Sequence, residues 1–169
     1  MWIASLAMER FLQQKEGPTA TLINMLRSEV YAPIGVDNFA LGTNYTPTGE
    51  LGNSYGGWGA LPTLDILAKA GMLISNAGAA SDGTQILNKA LLDTYSKSAD
   101  YQLAFWKTTV PAGGKDVFIP TMSGAGGNKV LALPNGTSIV VLGRDNYNAS
   151  VPDEKLAALV TAVMRSLPG

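Results

Sequence analysis

The stretch Gly124-Ala125-Gly126-Gly127-Asn128-Lys129 is the first whose residue types suggest chemistry, because a glycine-rich loop ending in lysine can cradle phosphate. Its spacing is neither G-x-x-x-x-G-K-[ST] nor G-x-G-x-x-G. The residues after it read as a strand, so no helix N-terminus stands ready for an anion. The stretch reads as a tight turn between strands. The carboxylates are no better placed: Asp93, Asp100 and Asp116 fall in different elements, and Asp65 sits where a helix begins. No cluster calls for a metal, and nothing calls for a cofactor. The chain holds no histidine, which removes the commonest general base, the commonest zinc ligand and any Ser-His-Asp triad. It holds no cysteine, which removes disulfides and thiolate chemistry. Hydroxyls such as Ser123 and Ser54 remain as nucleophile candidates, with no neighbouring base visible. Asn44-Tyr45-Thr46, Asn135-Gly136-Thr137 and Asn148-Ala149-Ser150 fit the glycosylation acceptor pattern but serve better as turn residues.

The elements that must position these groups are legible from patterning. The length of 169 residues suits one domain. The net charge of −1 favours neither nucleic acid nor an acidic membrane surface, and no run is long enough to span a bilayer. Charged residues make up only 15% of the chain, which favours an oligomer or a chain packed against something else. The opening MWIASLAME lacks a basic n-region and reads as an amphipathic helix rather than an export signal, so no compartment is indicated. Trp2, Leu6, Met8, Phe11 and Leu12 recur at helical spacing over 2–14, and Trp2 and Ile3 read as core residues. Thr19 or Thr21 opens a second helix through Tyr31, striped by Leu22, Met25, Leu26 and Val30. Residues 36–60 lack periodicity, and Tyr55 and Trp58 there are either buried pins of a loop or a substrate-facing wall.

A helix entered at Thr63 and closed at Asn76-Ala77-Gly78 comes next, then a short one over 86–96. Tyr101–Thr109 reads as one strand with Leu103, Phe105 and Trp106 packed. The stretch 118–147 reads as three strands joined by the SGAGG turn and a type I′ turn at Asn135-Gly136. Ile139-Val140-Val141-Leu142 is apolar on both faces, so that strand should be covered on both sides. Pro152 starts a last helix lined by Leu156, Leu159, Val160, Val163, Met164 and Leu167. The expected class is α+β: an antiparallel sheet of about three to four strands with a C-terminal helix packed on it, preceded by a helical segment. A single domain, 1–169, should hold helices and loop over 1–100, then strands and the last helix over 101–169.

Residues 25–147 resemble the later part of the serine β-lactamase-like hydrolases, which include class C β-lactamases, D-Ala-D-Ala peptidases, esterases and 6-aminohexanoate-dimer hydrolases. The resemblance runs through LRSEVYAPIG at 26–35, YGGWGALPTLDILAK at 55–69, Gly78 with Ile86-Leu87, YQLAFW at 101–106 and MSGAGG at 122–127. It implies a partial β-lactamase/transpeptidase-like fold. It also implies acyl-serine hydrolysis of amides or esters in whole relatives, through S-x-x-K, Y-x-N and a third motif, K-T-G or H-x-G. Neither of the first two occurs here; the nearest is Thr94-Tyr95-Ser96-Lys97, where the family has no nucleophile. In the family both lie upstream of the part resembling residues 2–31. The third motif falls at Met122-Ser123-Gly124-Ala125, with Met122 in place of the basic or imidazole residue. The expectation is a C-terminal fragment or truncated relative, inactive alone. Its open apolar strand edge would pair with a second copy or a complementary segment. The alternative is a non-catalytic small-molecule-binding or interaction module, with Tyr55, Trp58 and Ser123 lining the cleft.

Overall fold

The computed structural model describes residues 2–49, 51–56, 59–95, 100–112, 115–143 and 151–166, in two compact units, Met1–Ile66 and Leu67–Gly169. The architecture is α+β. Helices α1 (Trp2–Glu16) and α2 (Leu22–Met25) lead into a two-stranded hairpin, β1 (Thr43–Tyr45) and β2 (Leu51–Ser54). Then come α3 (Leu64–Ser75), α4 (Lys89–Tyr95), five strands and α5 (Asp153–Ser166). The strands are β3 (Tyr101–Gln102), β4 (Phe105–Ala112), β5 (Lys115–Gly124), β6 (Asn128–Ala132) and β7 (Ser138–Val141). They lie antiparallel in the order β3-β4-β5-β6-β7.

The register sorts the sheet's side chains, because directly opposed residues share a face. Val110 opposes Val117, Thr121 opposes Leu131, and Leu131 opposes Ile139. That face meets α5: Val110, Ile119, Leu131, Leu133, Ile139, Leu156 and Val160 form one buried cluster. Ile119, Leu131 and Leu133 are wholly shielded, each worth about 1.5–3 kcal/mol of apolar burial. The other face, with Val130 opposite Val140 and Ala132 opposite Ser138, meets α3. Gly71 makes the approach possible, since a Cβ there would come within 2.6 Å of Ser138 Cβ and 2.7 Å of Val130 Cγ1. Ser138 Oγ donates to the Ala68 carbonyl at 2.8 Å, pinning β7 to α3. The strand apolar on both faces is thus covered by a helix on each, as its pattern requires.

Two turns differ from expectation. Leu133 N donates to Thr137 O, enclosing a three-residue loop, Pro134–Gly136, in which Gly136 alone has positive φ (+83°). Pro134 cannot take positive φ, so the loop is the longer hairpin type ending in a left-handed glycine rather than type I′. The expected strand over Tyr101–Thr109 is instead a hairpin: Gln102 opposes Phe105, and Leu103 and Ala104 turn the chain at φ of +50° and +67°. Leu103 and Trp106 are consequently exposed, and Trp106 packs against Tyr101 at 4.7 Å between ring centroids.

In the first unit, Thr21 caps α2 by accepting from Asn24 N, and the helix then widens into a π-helical stretch, Leu26–Tyr31, before a 3-10 turn over Ala32–Ile34. Gly35, at φ +72°, ends it. Tyr31 stacks on Phe39 with centroids 4.0 Å apart, over a small core of Val36, Phe39 and Ile66. Arg27 Nε donates to the Phe39 carbonyl at 2.8 Å. The stretch 36–60 is more regular than its composition suggests. Beyond the β1–β2 hairpin, Gly42 N donates to Gly59 O, Tyr55 N to Gly42 O, and Leu61 N to Ala40 O.

The helix α1 turns an unexpected side inward. Ser5, Glu9 and Leu12 are buried, whereas Ile3, Met8 and Phe11 are exposed, Ile3 by 80% and Phe11 by 53%. The neighbours explain it. Gly56 approaches so closely that a Cβ there would collide with the Ser5 hydroxyl. The Glu9 carboxylate accepts from Leu22 N at 3.1 Å and from Asn53 Nδ2. Leu22 N is one of the orphan donors at the start of α2, where a negative charge is favourable.

Candidate functional site at the β5–β6 turn

Met122, Ser123 and Gly124 end β5, and Ala125 opens the turn after it. Met122 opposes Val130 on the α3 face and is half-buried. Ser123 opposes Lys129 on the α5 face; Ser123 is exposed and Lys129 half-buried. Gly124 opposes Asn128, and Ala125–Gly127 form a single 3-10 turn, with Gly126 at φ 76°, ψ 15° and Gly127 at φ +79°. Only glycine takes such angles without strain, which explains the paired glycines.

The turn is braced from a distance. Asn128 Nδ2 donates to the Ala125 carbonyl at 2.7 Å, and Asn128 Oδ1 accepts from Gly143 N at 3.0 Å. Gly143 packs on the Gly126 carbonyl so tightly that any side chain would clash with its oxygen. One asparagine therefore ties the start of β6 to the end of β7. Neither Asn128 nor Gly143 stands out in the sequence; GGN looks like ordinary turn composition, and the sequence separation of 15 between the partners hides the link.

Chemically, the row offers an exposed hydroxyl beside an ammonium stem, on a rigid turn. Among the described residues no hydrogen bond joins the Ser123 hydroxyl to a base, as an activated nucleophile requires. The next hydroxyl on this face, Thr121, is buried and structural: its Oγ1 lies 2.8 Å from Thr108 Oγ1. Met122, on the opposite face, contributes a thioether and no titratable group. No group of three metal-ligating side chains occurs among the described residues, and no helix among them is long and apolar enough to cross a membrane.

Of the other candidates, Ser54 is buried at the end of β2, and Tyr55 next to it is half-buried. Trp58 lies outside the described residues, as do Ser96, Lys97 and Asn148. Asn135 Oδ1 accepts from Thr137, as a turn residue does, whereas Asn44 lies in the middle of β1 with its Oδ1 shielded and unpartnered among the described residues, so it is not a turn residue. The perturbed titrating groups sit on other elements than β5 and its turn. Burial pushes the Tyr31 phenol up, and the Thr84 N–H, donating to Asp82 Oδ1 at 2.9 Å, holds that exposed carboxyl down.

A scan of the sequence against protein-family models returns no match, and a search of curated proteins returns none either.

Proposed function

We propose that this chain is the C-terminal part, or a shortened relative, of a serine β-lactamase-like hydrolase scaffold, without an acyl-accepting serine of its own. One observation carries the reading. A long strand ends in Met122-Ser123-Gly124, then come the Ala125–Gly127 turn, two further antiparallel strands and a covering helix, the order in which the resemblance sets its third motif. The sequence holds no S-x-x-K and no Y-x-N. Whole relatives hydrolyse amides or esters through an acyl-serine; here the turn and strand persist while the nucleophile and its lysine do not. Nucleic acid is not part of this reading.

The exposed Ser123 hydroxyl on a braced turn favours a second reading, a non-catalytic module that holds a small amide or ester ligand. In either case the sheet's end strand, unpaired on its outer side among the described residues, offers an edge for association with a second copy or a complementary segment. A chromogenic cephalosporin and a p-nitrophenyl ester test the hydrolase question. The expected result is no turnover above buffer. Turnover that Ser123→Ala abolishes would overturn the proposal.

A further inference from the structure

The five-stranded sheet has two unlike ends. β3 is two residues long, and extreme shortness is itself a protection against edge pairing. β7 has four residues, Ser138-Ile139-Val140-Val141, with an unbroken register to β6 and no charge, proline or bulge. Both its faces are already covered, by α5 over Ile139 and by α3 through Ser138. What stays open among the described residues is its main-chain edge.

The direction of that edge is fixed. Leu133 N donates to Thr137 O, so the ladder's alternation points the main-chain groups of Ile139 and Val141 towards β6. Those of Ser138, Val140 and Leu142 point outward. Gly143, the last described residue after β7, turns inward onto Asn128 and Gly126.

We infer that this edge takes β7 of a second copy of the chain, antiparallel about a two-fold axis through Val140. The inference rests on the open-edge reading above and commits it to one strand, one partner and one register. In this register Val140 faces the partner's Val140, and Ser138 faces the partner's Leu142. Opposed residues then share a face, as an antiparallel ladder demands, and each pair exchanges two main-chain hydrogen bonds. The strand is self-complementary: it carries no charge, so identical copies meet without repulsion, and an isologous contact closes on itself. Leu142, 55% exposed, gains cover beside the new strand.

The chain has no cysteine, so Val140→Cys places one thiol on the axis. The Cα separation of about 5.5 Å in a hydrogen-bonded antiparallel pair suits a disulfide. Under mild oxidation the Val140→Cys protein should run as a covalent dimer, and Ser123→Cys should not. By light scattering, the unmodified chain should have twice the monomer mass, and Val140→Pro, which removes only an outward N–H, should be monomeric. Circular dichroism reports whether the proline variant is folded; where it is not, the cysteine result decides. No cross-link at Val140, or a dimer that survives in folded Val140→Pro, overturns the β7 assignment while leaving association standing. A monomeric unmodified chain overturns both, and neither outcome touches the hydrolase reading.

Discussion

Helices α1 and α5 are nearly the same length, 15 and 14 residues, yet α5 buries apolar side chains and α1 buries Ser5 and Glu9 beside Leu12. α5 lays Leu156 and Val160 against an apolar sheet face. α1 puts Ser5 and Glu9 inward and leaves Ile3, Met8 and Phe11 outside. Each inward face answers what its neighbour offers. The sheet offers valine, isoleucine and leucine. The neighbours of α1 offer the bare main chain of Gly56, the Asn53 amide and the orphan N–H of Leu22. A small hydroxyl and a carboxylate fit that surface, with the buried Leu12 about one turn further along. Periodicity reveals that a helix exists, but the side it buries is decided by the partner surface.

Thermal melts put this contrast to the test. Leu156→Ala should cost most, about 2–5 kcal/mol, as a fully buried leucine leaving a cavity. Glu9→Ala should cost about 1–3 kcal/mol, because it strands the Leu22 N–H and the Asn53 amide. A neutral change would break the contrast. Replacing Leu103-Ala104 by Asn-Gly should stabilise the α5-bearing unit by about 1–2 kcal/mol, since both positions have positive φ.

A smaller effect is expected from Tyr31. Burial lifts its phenol above the ordinary 10.0, so the fold favours the neutral form. That contribution is intact below the ordinary value and disappears as pH rises through the folded one. Tyr31→Phe should flatten the alkaline limb of a stability–pH curve. Smallest of all, Phe11→Ser should change stability by at most about 0.5 kcal/mol. A loss there comparable to that of Leu156→Ala would end the contrast between the helices.

Local patterning and partner surfaces also divide what could be read in advance. β6 and β7 were legible because an apolar run bounded by Asn-Gly has few alternatives, and so were α3 with its Thr63 cap and the closing α5. The type of the β6–β7 turn was not, because Pro134 changes the loop from within. The β3–β4 turn was hidden because Leu103-Ala104 has no turn chemistry and is held in place by the hairpin around it. At the candidate site, Ser123 and its glycines could be found by pattern. Their brace could not, since Asn128 and Gly143 meet only once β6 and β7 have paired.

Intact-protein mass spectrometry after incubation with a fluorophosphonate and, separately, with a β-lactam tests the central claim most directly. The account predicts an unshifted mass, with Ser123 unlabelled despite its exposure. A stoichiometric acyl or phosphonyl adduct on any serine of this chain would contradict it.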